Sequence, residues 1–444
     1  NASASFKWNN YNINLIDTPG HVDFSSEVER AMKALDCAIL VISAVEGVQG
    51  HTITLWNALQ KAKIPTILFI NKIDRAGSNV EDVVKEIRKE MTTNLMIMQS
   101  VKNEGGNDAD INNLVKINSV DIPDEEIIEI IVNNDDRLLE NYLEGIPVTP
   151  LEIYDSFKTQ IDNNLLTPIF LGAAKFDIGI DELLNGITEY MPVANGDSSQ
   201  PLSGVVYKID HDSTVGKIAS VRLLEGTIIN RDIINVGARQ TEHKVTQIRK
   251  IQGQKHTDIN ELTAGDTAGI CGLSSAKAGD VIGLMEQNTE PISLNEPMLT
   301  VKVLPSKDDD YSSLVSAMHI LSDEDPTMDL IWLKDERELH IKILGIMQLQ
   351  ILKSIMSERF NVDVIFGKPT VIYKETPAKA MIAFEAYTMP KPCWAVVRLK
   401  IEPGELGSGV EYSSEVGVNS IAVRYQQEIA RAIPLALEQG SLGW

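Results

Sequence analysis

Three short apolar runs set the early rhythm of the chain. Residues 13–16, 37–42 and 66–70 each read as a buried strand, too short for a buried helix. Between them Val28, Met32 and Leu35 fall at helical spacing, and 52–62 is a second helical segment. The order strand–helix–strand–helix–strand over 11–194 predicts a parallel sheet wrapped by helices. The stretch 91–164 breaks this rhythm. It is polar, rich in Asn, Asp and Glu, and interrupted by Gly105-Gly106, Pro147 and Pro150, so it reads as an insertion. Its acidic helix around 124–143 reads as a solvated face.

A linker composition follows at 195–201. After it, short β-rich runs at 205–209, 218–224, 232–236, 244–251 and 267–270, punctuated by turn residues, predict a small barrel. From Met298 the pattern is strand, helix (312–321), two strands flanking Asp335-Glu336, helix (347–359) and strand (362–366). That order is the ferredoxin-like βαββαβ arrangement. A further α/β piece follows Pro377. A chain of 444 residues has room for about three domains.

Two of the strands end in residues that carry chemistry. Asp17-Thr18-Pro19-Gly20-His21 follows the first apolar run, and Asn71-Lys72-Ile73-Asp74 follows the third. In open α/β sheets, ligands bind beyond the carboxyl ends of strands. A nucleoside triphosphate needs backbone N–H donors, a cation and a group that places the attacking water. Asp17 is suited to hold Mg²⁺ through a water, because that ion keeps much of its hydration shell. Gly20 lacks a Cβ, so its N–H can approach a γ-phosphate, and His21 can orient a water. The Asp74 carboxylate can accept from both the ring N1–H and the exocyclic amine of guanine, a pair adenine lacks. Asn71 can tie neighbouring loops, and the Lys72 stem can lie along the base. The two segments together imply GTP and Mg²⁺. A G-x-x-x-x-G-K-[ST] phosphate cradle does not occur in the sequence.

Composition narrows the class. The balance of 40 basic against 63 acidic residues, a net charge of −23, argues against bulk electrostatic binding of nucleic acid. There is no apolar run of about 18 residues, so no membrane span is expected, and no secretory signal is read at the start. Cys37, Cys271 and Cys393 cannot pair completely and lie in no metal-ligand spacing, which points to a reducing cytoplasmic setting. Cys37 and Cys271 sit in apolar runs and read as small buried hydrophobes.

Asp17-Thr18-Pro19-Gly20-His21-Val22-Asp23-Phe24 with Glu27-Val28-Glu29-Arg30, and then Asn71-Lys72-Ile73-Asp74-Arg75, resemble the translational GTPases of the elongation factor G superfamily. The family's third guanine loop, Ser-Ala-Lys, is matched by Gly172-Ala173-Ala174-Lys175, with Ala173 in place of serine. Gly216-Lys217-Ile218-Ala219 with Leu224-Glu225-Gly226-Thr227 resembles the family's second, β-barrel domain. Glu324-Asp325-Pro326, Leu344-Gly345 with Gln348-Leu349, and Gly367-Lys368-Pro369 with Tyr373-Lys374-Glu375 resemble its third. Pro392-Cys393-Trp394-Ala395, Leu406-Gly407-Ser408-Gly409-Val410-Glu411-Tyr412 and Glu438-Gln439-Gly440-Ser441-Leu442-Gly443-Trp444 look like the tetracycline-resistance ribosomal protection proteins rather than elongation factor G itself.

The resemblance implies a multidomain α/β chain. It would hold a P-loop-GTPase-like parallel sheet domain at 1–195, lacking the N-terminal strand and phosphate loop and carrying an insertion at about 91–164. A translation-factor barrel at 201–290, a ferredoxin-like α+β domain at 297–376 and a partial fourth domain at 377–444 would follow. It implies a ribosome-dependent GTPase, monomeric and cytoplasmic, that displaces tetracycline from the ribosome. Asp17 would be a Mg²⁺ residue and His21 the water-positioning residue. Asp17, Thr18, Pro19, Gly20, His21, Asn71, Lys72, Ile73, Asp74, Ala173, Ala174 and Lys175 would line the GTP site, with the Ala174 N–H donating to the guanine oxygen. Gly404, Leu406, Gly407 and Ser408 would be ribosome-contact residues. An acidic factor would meet rRNA through local basic patches and through basic ribosomal proteins. In the family, the phosphate cradle and first switch loop precede the segment with which this chain begins. The chain alone is therefore expected to bind GTP weakly and hydrolyse it hardly at all. An elongation-factor-G-like translocation or recycling GTPase, and a non-hydrolysing ribosome-binding scaffold, are the alternatives.

Overall fold

The computed structural model describes residues 2–115, 117, 125–212, 214–252, 255–283, 294–333, 337–371, 375–387, 395–405, 408–417 and 420–437. The features expected at Asp335-Glu336, Tyr373-Lys374, Pro392-Cys393-Trp394, Leu406-Gly407 and 438–444 lie outside the described residues. The chain forms two compact units, Asn1–Pro297 with Val303–Phe366, and Met298–Lys302 with Gly367–Trp444.

The first unit opens with β1 (Ala2–Trp8) and β2 (Tyr11–Asp17), paired antiparallel from Ala2↔Asp17 to Trp8↔Tyr11. The sequence suggested that β2 is a buried strand of the parallel sheet. Instead β1 and β2 form a two-stranded sheet of their own, and Leu15 is 44% exposed. The period of two explains this. Asn14 and Ile16 share one face: Ile16 packs with Ala34, Val205 and Tyr207, while Asn14 donates to Asp266 at 3.1 Å. Leu15 is left on the other face.

After α1 (Ser25–Met32) come β3 (Ala38–Ser43), α2 (Gly50–Lys61), β4 (Thr66–Asn71), α3 (Val80–Glu90) and β5 (Leu95–Ile97). Next are β6 (Gln99–Lys102), β7 (Asp110–Asn113), α4 (Glu125–Val132), α5 (Asp136–Leu143), α6 (Pro150–Asp162), β8 (Thr167–Leu171) and α7 (Ile180–Tyr190). Strands β3, β4, β8 and β5 form a parallel sheet in the order β3-β4-β8-β5, with Ala38↔Thr66 through Ser43↔Asn71 and Leu68↔Ile169 in register. Both faces of β4 are covered, as its unbroken apolar run requires. Ile67 and Phe69 pack with Phe157, Ile161 and Leu183, whereas Leu68 and Ile70 pack with Trp56, Val84 and Ile87.

The polar stretch 91–164 is more than an inserted surface segment. Strand β5 joins the sheet beside β8, and Ile153, Phe157 and Ile161 on α6 are fully buried with Met96 and Ile131. Sparse apolar residues at helical spacing suffice to supply that core face. Helices α4 and α5 likewise bury Ile127, Ile131 and Leu138 while turning their acidic residues outward.

The barrel segment comprises β9 (Ser203–Asp212), β10 (Gly216–Glu225), β11 (Thr227–Ile229), β12 (Ile233–Val236), β13 (Thr241–Lys244), β14 (Gln247–Gln252), β15 (Lys255–Ile259), β16 (Glu261–Thr263), β17 (Thr267–Cys271) and β18 (Val281–Gly283). Eight of these form an antiparallel sheet, β13-β12-β18-β9-β10-β17-β14-β15, around Val206, Val221, Ile248 and Ile270. The single strand expected at 244–251 is two, β13 and β14, because Val245 and Thr246 turn away to bond Asp232 and Cys271. Arg222 is buried and reaches out of this sheet to hold Asp36 through two bonds of 2.8 and 2.9 Å.

The βαββαβ order appears as β19 (Leu299–Pro305), α8 (Tyr311–Glu324), β20 (Ile331–Leu333), β21 (Glu338–Ile343), α9 (Ile346–Phe360) and β22 (Val364–Phe366), in the sheet order β20-β21-β19-β22. In the second unit, β23 (Thr370–Val371) pairs with the start of β19. The hairpin of β24 (Met381–Tyr387) and β25 (Ala395–Ile401) and the helix α10 (Val423–Ala436) follow.

Candidate nucleotide site

Four loops leave the carboxyl ends of strands in the first unit, and most of the expected residues lie on them. Asn71 closes β4, and its side-chain oxygen accepts from the Lys72 N–H at 2.8 Å and from the Ala174 N–H at 3.0 Å. It therefore joins the loop after β4 to the loop after β8. The Ala174 N–H, expected to serve guanine, is engaged by Asn71 in this structure. Lys72 adopts a left-handed backbone (φ 69°), and its ammonium pairs with Glu46 at 3.2 Å. Glu46 lies in the loop after β3. Asp74 is half-buried, and its carboxylate takes no protein partner among the described residues.

Two of the expected nucleotide residues have buried side chains. Ile73 is fully buried and Ala173 nearly so, both in the core that includes Leu68, Ile70 and Leu171. Their side chains anchor the loops from beneath. The Ile73 N–H donates to the Gly172 carbonyl at 3.3 Å, and its carbonyl accepts from Gly105 at 2.8 Å. Gly172 must lack a side chain, because a Cβ there would collide with the Ile178 carbonyl and the Phe69 ring.

The loop after β2 is more open. Asp17 is exposed, and its carboxylate has no protein partner among the described residues. A Cβ built on Gly20 meets nothing within 4 Å, so protein packing does not require glycine there. His21 caps the single turn Val22–Phe24, its Nδ1 accepting from the Asp23 N–H at 3.2 Å. Its Nε2 is thereby the nitrogen left for a water. Among the described residues there is no cluster of three or more His, Cys, Asp or Glu that could hold a metal ion. Mg²⁺ commonly uses one carboxylate, several waters and the substrate's own phosphates, and the solitary Asp17 fits that donor set.

Sequence reasoning missed three residues here. His51, at the start of α2, has both ring nitrogens buried without a hydrogen-bond partner. Burial pushes its imidazole below the ordinary histidine range, and the nearby His21 adds to the effect. Glu46 is the partner of Lys72, and Asp23 is buried although acidic. The available signal was the loop after the second apolar run, where Glu46 and Gly50-His51 follow a strand end just as the other two motifs do. Of the ribosome-contact candidates, Gly404 and Ser408 are exposed, and the Ser408 N–H donates to the Glu405 carbonyl at 3.1 Å.

Of the two cysteines expected to be buried, Cys271 is buried and Cys37 is half-buried against the core that holds Ile67 and Phe69. Burial, with the neighbouring Asp36 carboxylate, pushes the Cys37 thiol up to about 12, and burial likewise raises that of Cys271. No helix among the described residues is long and apolar enough to cross a membrane.

Comparison with known proteins places these loops in a family. Residues 1–193 match the Elongation factor Tu GTP binding domain, residues 201–284 Elongation factor G domain 2, and residues 294–368 Elongation Factor G, domain III. The chain is 36% identical to the tetracycline resistance protein TetP of Clostridium perfringens over 100% of its own length and 68% of that protein's. It is 32% identical to TetM of Ureaplasma urealyticum (99% and 68%) and 31% identical to TetW of Butyrivibrio fibrisolvens (100% and 68%). A crystal structure of a protein from Thermus thermophilus shares the fold, with a TM-score of 0.70 and 24% identity over 99% of this chain and 70% of that one. The chain belongs to the translational GTPases of the elongation factor G superfamily, within the family of tetracycline resistance proteins.

Proposed function

We propose that the protein binds GTP across the loops after β2, β4 and β8, docks on the ribosome and releases tetracycline from it, and hydrolyses the GTP on ribosome contact. The observation that carries this reading is the Asn71 bridge. It holds Asn71-Lys72-Ile73-Asp74 and Gly172-Ala173-Ala174-Lys175 together at one edge of the sheet. The unpartnered carboxylate of Asp74 would accept the two guanine N–H donors and so exclude adenine. Lys72 and Lys175 would flank the base with their apolar stems. Thr18, Pro19 and Gly20 would follow the γ-phosphate, the open space at Gly20 leaving its N–H approachable.

Asp17 would hold Mg²⁺ through a water, and the bound ion would supply charge neutralisation for the phosphates. His21 would orient the attacking water through Nε2, since Nδ1 is occupied by the Asp23 N–H. The loop containing Gly404 and Ser408 in the second unit would meet the ribosome. The reading places the protein in the cytoplasm as a monomer.

The test is GTP hydrolysis by the full-length protein with ribosomes, with and without bound tetracycline. Ribosome-stimulated turnover with release of labelled drug is the expected outcome. His21→Ala should lower that turnover by about 10²-fold or more while GTP affinity holds. Stimulation without drug release would favour a translocation or recycling factor, and no stimulation would leave a ribosome-binding scaffold.

A further inference from the structure

A motif of the third domain, Leu344-Gly345 with Gln348-Leu349, finds its use far from its own sheet. Gly345 is the N-cap of α9, in extended backbone, so its conformation alone does not demand glycine. Space does: a Cβ at Gly345 would overlap the Asp23 carboxylate. That carboxylate enters the α9 N-terminus and accepts from the Met347 N–H at 3.1 Å. Gln348 folds back beside it to accept from Leu344 at 2.6 Å, which leaves Asp23 as the acceptor for Met347. Asp23 is only 8% exposed.

The other end of the same residue faces His21. The Asp23 N–H donates to His21 Nδ1, and the carboxylate Oδ1 lies 3.7 Å from that nitrogen. The His21 side chain is 52% exposed, with the Phe24 ring edge-on at 6.3 Å. Asp23 therefore supplies the one hydrogen bond to this ring among the described residues. Two neighbouring contacts fix the same segment. Ser25 Oγ donates to the Val22 carbonyl at 2.5 Å, and Arg30 donates to Asp325 at 2.8 Å.

We infer that Asp23 is a positioning residue: α9 of the third domain, by gripping the Asp23 carboxylate, sets the placement of His21 and with it the rate of hydrolysis. This rests on the reading of His21 as the water-positioning group. A helix N-terminus binds a carboxylate well, because its first N–H groups have no partner within the helix. Seating or withdrawing α9 would move the Asp23 backbone, and the imidazole bonded to it would follow. A displacement of about 1 Å in a positioning group can cost about 10²-fold in rate.

The test measures ribosome-stimulated, single-turnover GTP hydrolysis by the full-length protein, together with GTP affinity and melting temperature. Asp23→Ala and Gly345→Ala sit on opposite sides of the contact and in different domains. Both should lower the rate constant by about 10- to 100-fold with GTP affinity unchanged. The double variant should be no slower than the slower single one, because both remove the same link. Asp23→Asn keeps an acceptor for Met347 and should recover most of the rate. A folded Gly345→Ala protein with the wild-type rate, or additive losses in the double variant, would overturn the inference. Should Gly345→Ala fail to fold, the contrast between Asp23→Ala and Asp23→Asn decides: equal rates overturn it. His21→Ala runs alongside, and undiminished turnover there would overturn the underlying reading of His21 itself.

Discussion

The Asn71 side-chain oxygen joins two loops 103 residues apart in sequence, accepting from Ala174 N–H at 3.0 Å while also holding its neighbour Lys72. A carboxamide is suited to this because its oxygen has two lone pairs, and here each takes a backbone donor. Asn71→Ala would leave both N–H groups to find water and would release the loop after β8. Loss of such a bond costs about 1–3 kcal/mol, so GTP affinity should fall about 10- to 100-fold in a fluorescent-nucleotide titration. Lys72→Ala breaks only a half-exposed ion pair to Glu46 and should cost less through that contact. Unchanged affinity in Asn71→Ala would mean that the bridge does not order the site.

A second contact ties α1 to the turn after α8. Asp325 accepts from Arg30 at 2.8 Å, Thr327 Oγ1 at 2.6 Å and Ser26 Oγ at 3.4 Å. Arg30 is buried, so Asp325→Ala would strand a guanidinium away from water. Removing one partner of a buried pair costs about 3–5 kcal/mol, and the partial exposure of Asp325 brings this to about 2 kcal/mol. Chemical denaturation of the variant should show that loss. Lys85→Ala, which breaks exposed pairs to Glu81 and Asp82, should leave the midpoint unmoved.

How much of this was legible beforehand depended on whether local pattern decided the outcome. Strand 66–70 was readable because its residues are apolar on both faces, as in a covered parallel sheet, and 37–42 because it is a short apolar run, although Val41 is left 55% exposed. The βαββαβ order was readable for the same reason of periodicity. The placement of β2 was not, since Ile13 to Ile16 looks continuous until the pairing with β1 and the Asn14–Asp266 bond separate its two faces. Likewise β5 and α6 join the core through a few residues in a polar background. The burial of Ile73 and the Asp23–Met347 contact are tertiary facts with no local signature. Motif spacing indicated which loops matter but not which of their side chains face inward.

Cys37 offers a chemical check on the same core. Its thiol, pushed up to about 12, is almost entirely protonated near pH 8, and thiols react as thiolates. Cys37 and the buried Cys271 should therefore resist an alkylating reagent in the native protein and react on unfolding. Mass spectrometry of peptides from native and urea-treated samples reads this directly. Rapid native labelling of Cys37 would contradict its packing with Ile67 and Phe69.

Asp266 gives the fold a pH dependence whose sign can be worked out. Burial alone would raise its carboxyl, but the hydrogen bond and charge of Lys250, with bonds from Thr267 and Asn14, outweigh burial and hold it below the ordinary value. A group depressed on folding contributes stability that is fully present above the unfolded value, about 3.9, and is lost as pH falls through the folded one. The melting temperature should thus be insensitive to Asp266 between about pH 5 and 7 and should decline below about pH 4. Asp266→Asn removes the charge that Lys250 faces, so it should melt lower than wild type at neutral pH. Below the folded carboxyl's titration the two proteins should converge, since the wild-type group is then neutral as well. Because Asn14 lies on β2, the same substitution should loosen the strand that leads into Asp17. Hydrogen exchange of the β2 amides in Asp266→Asn measures that effect, and protection equal to wild type would separate the barrel anchor from the nucleotide loop.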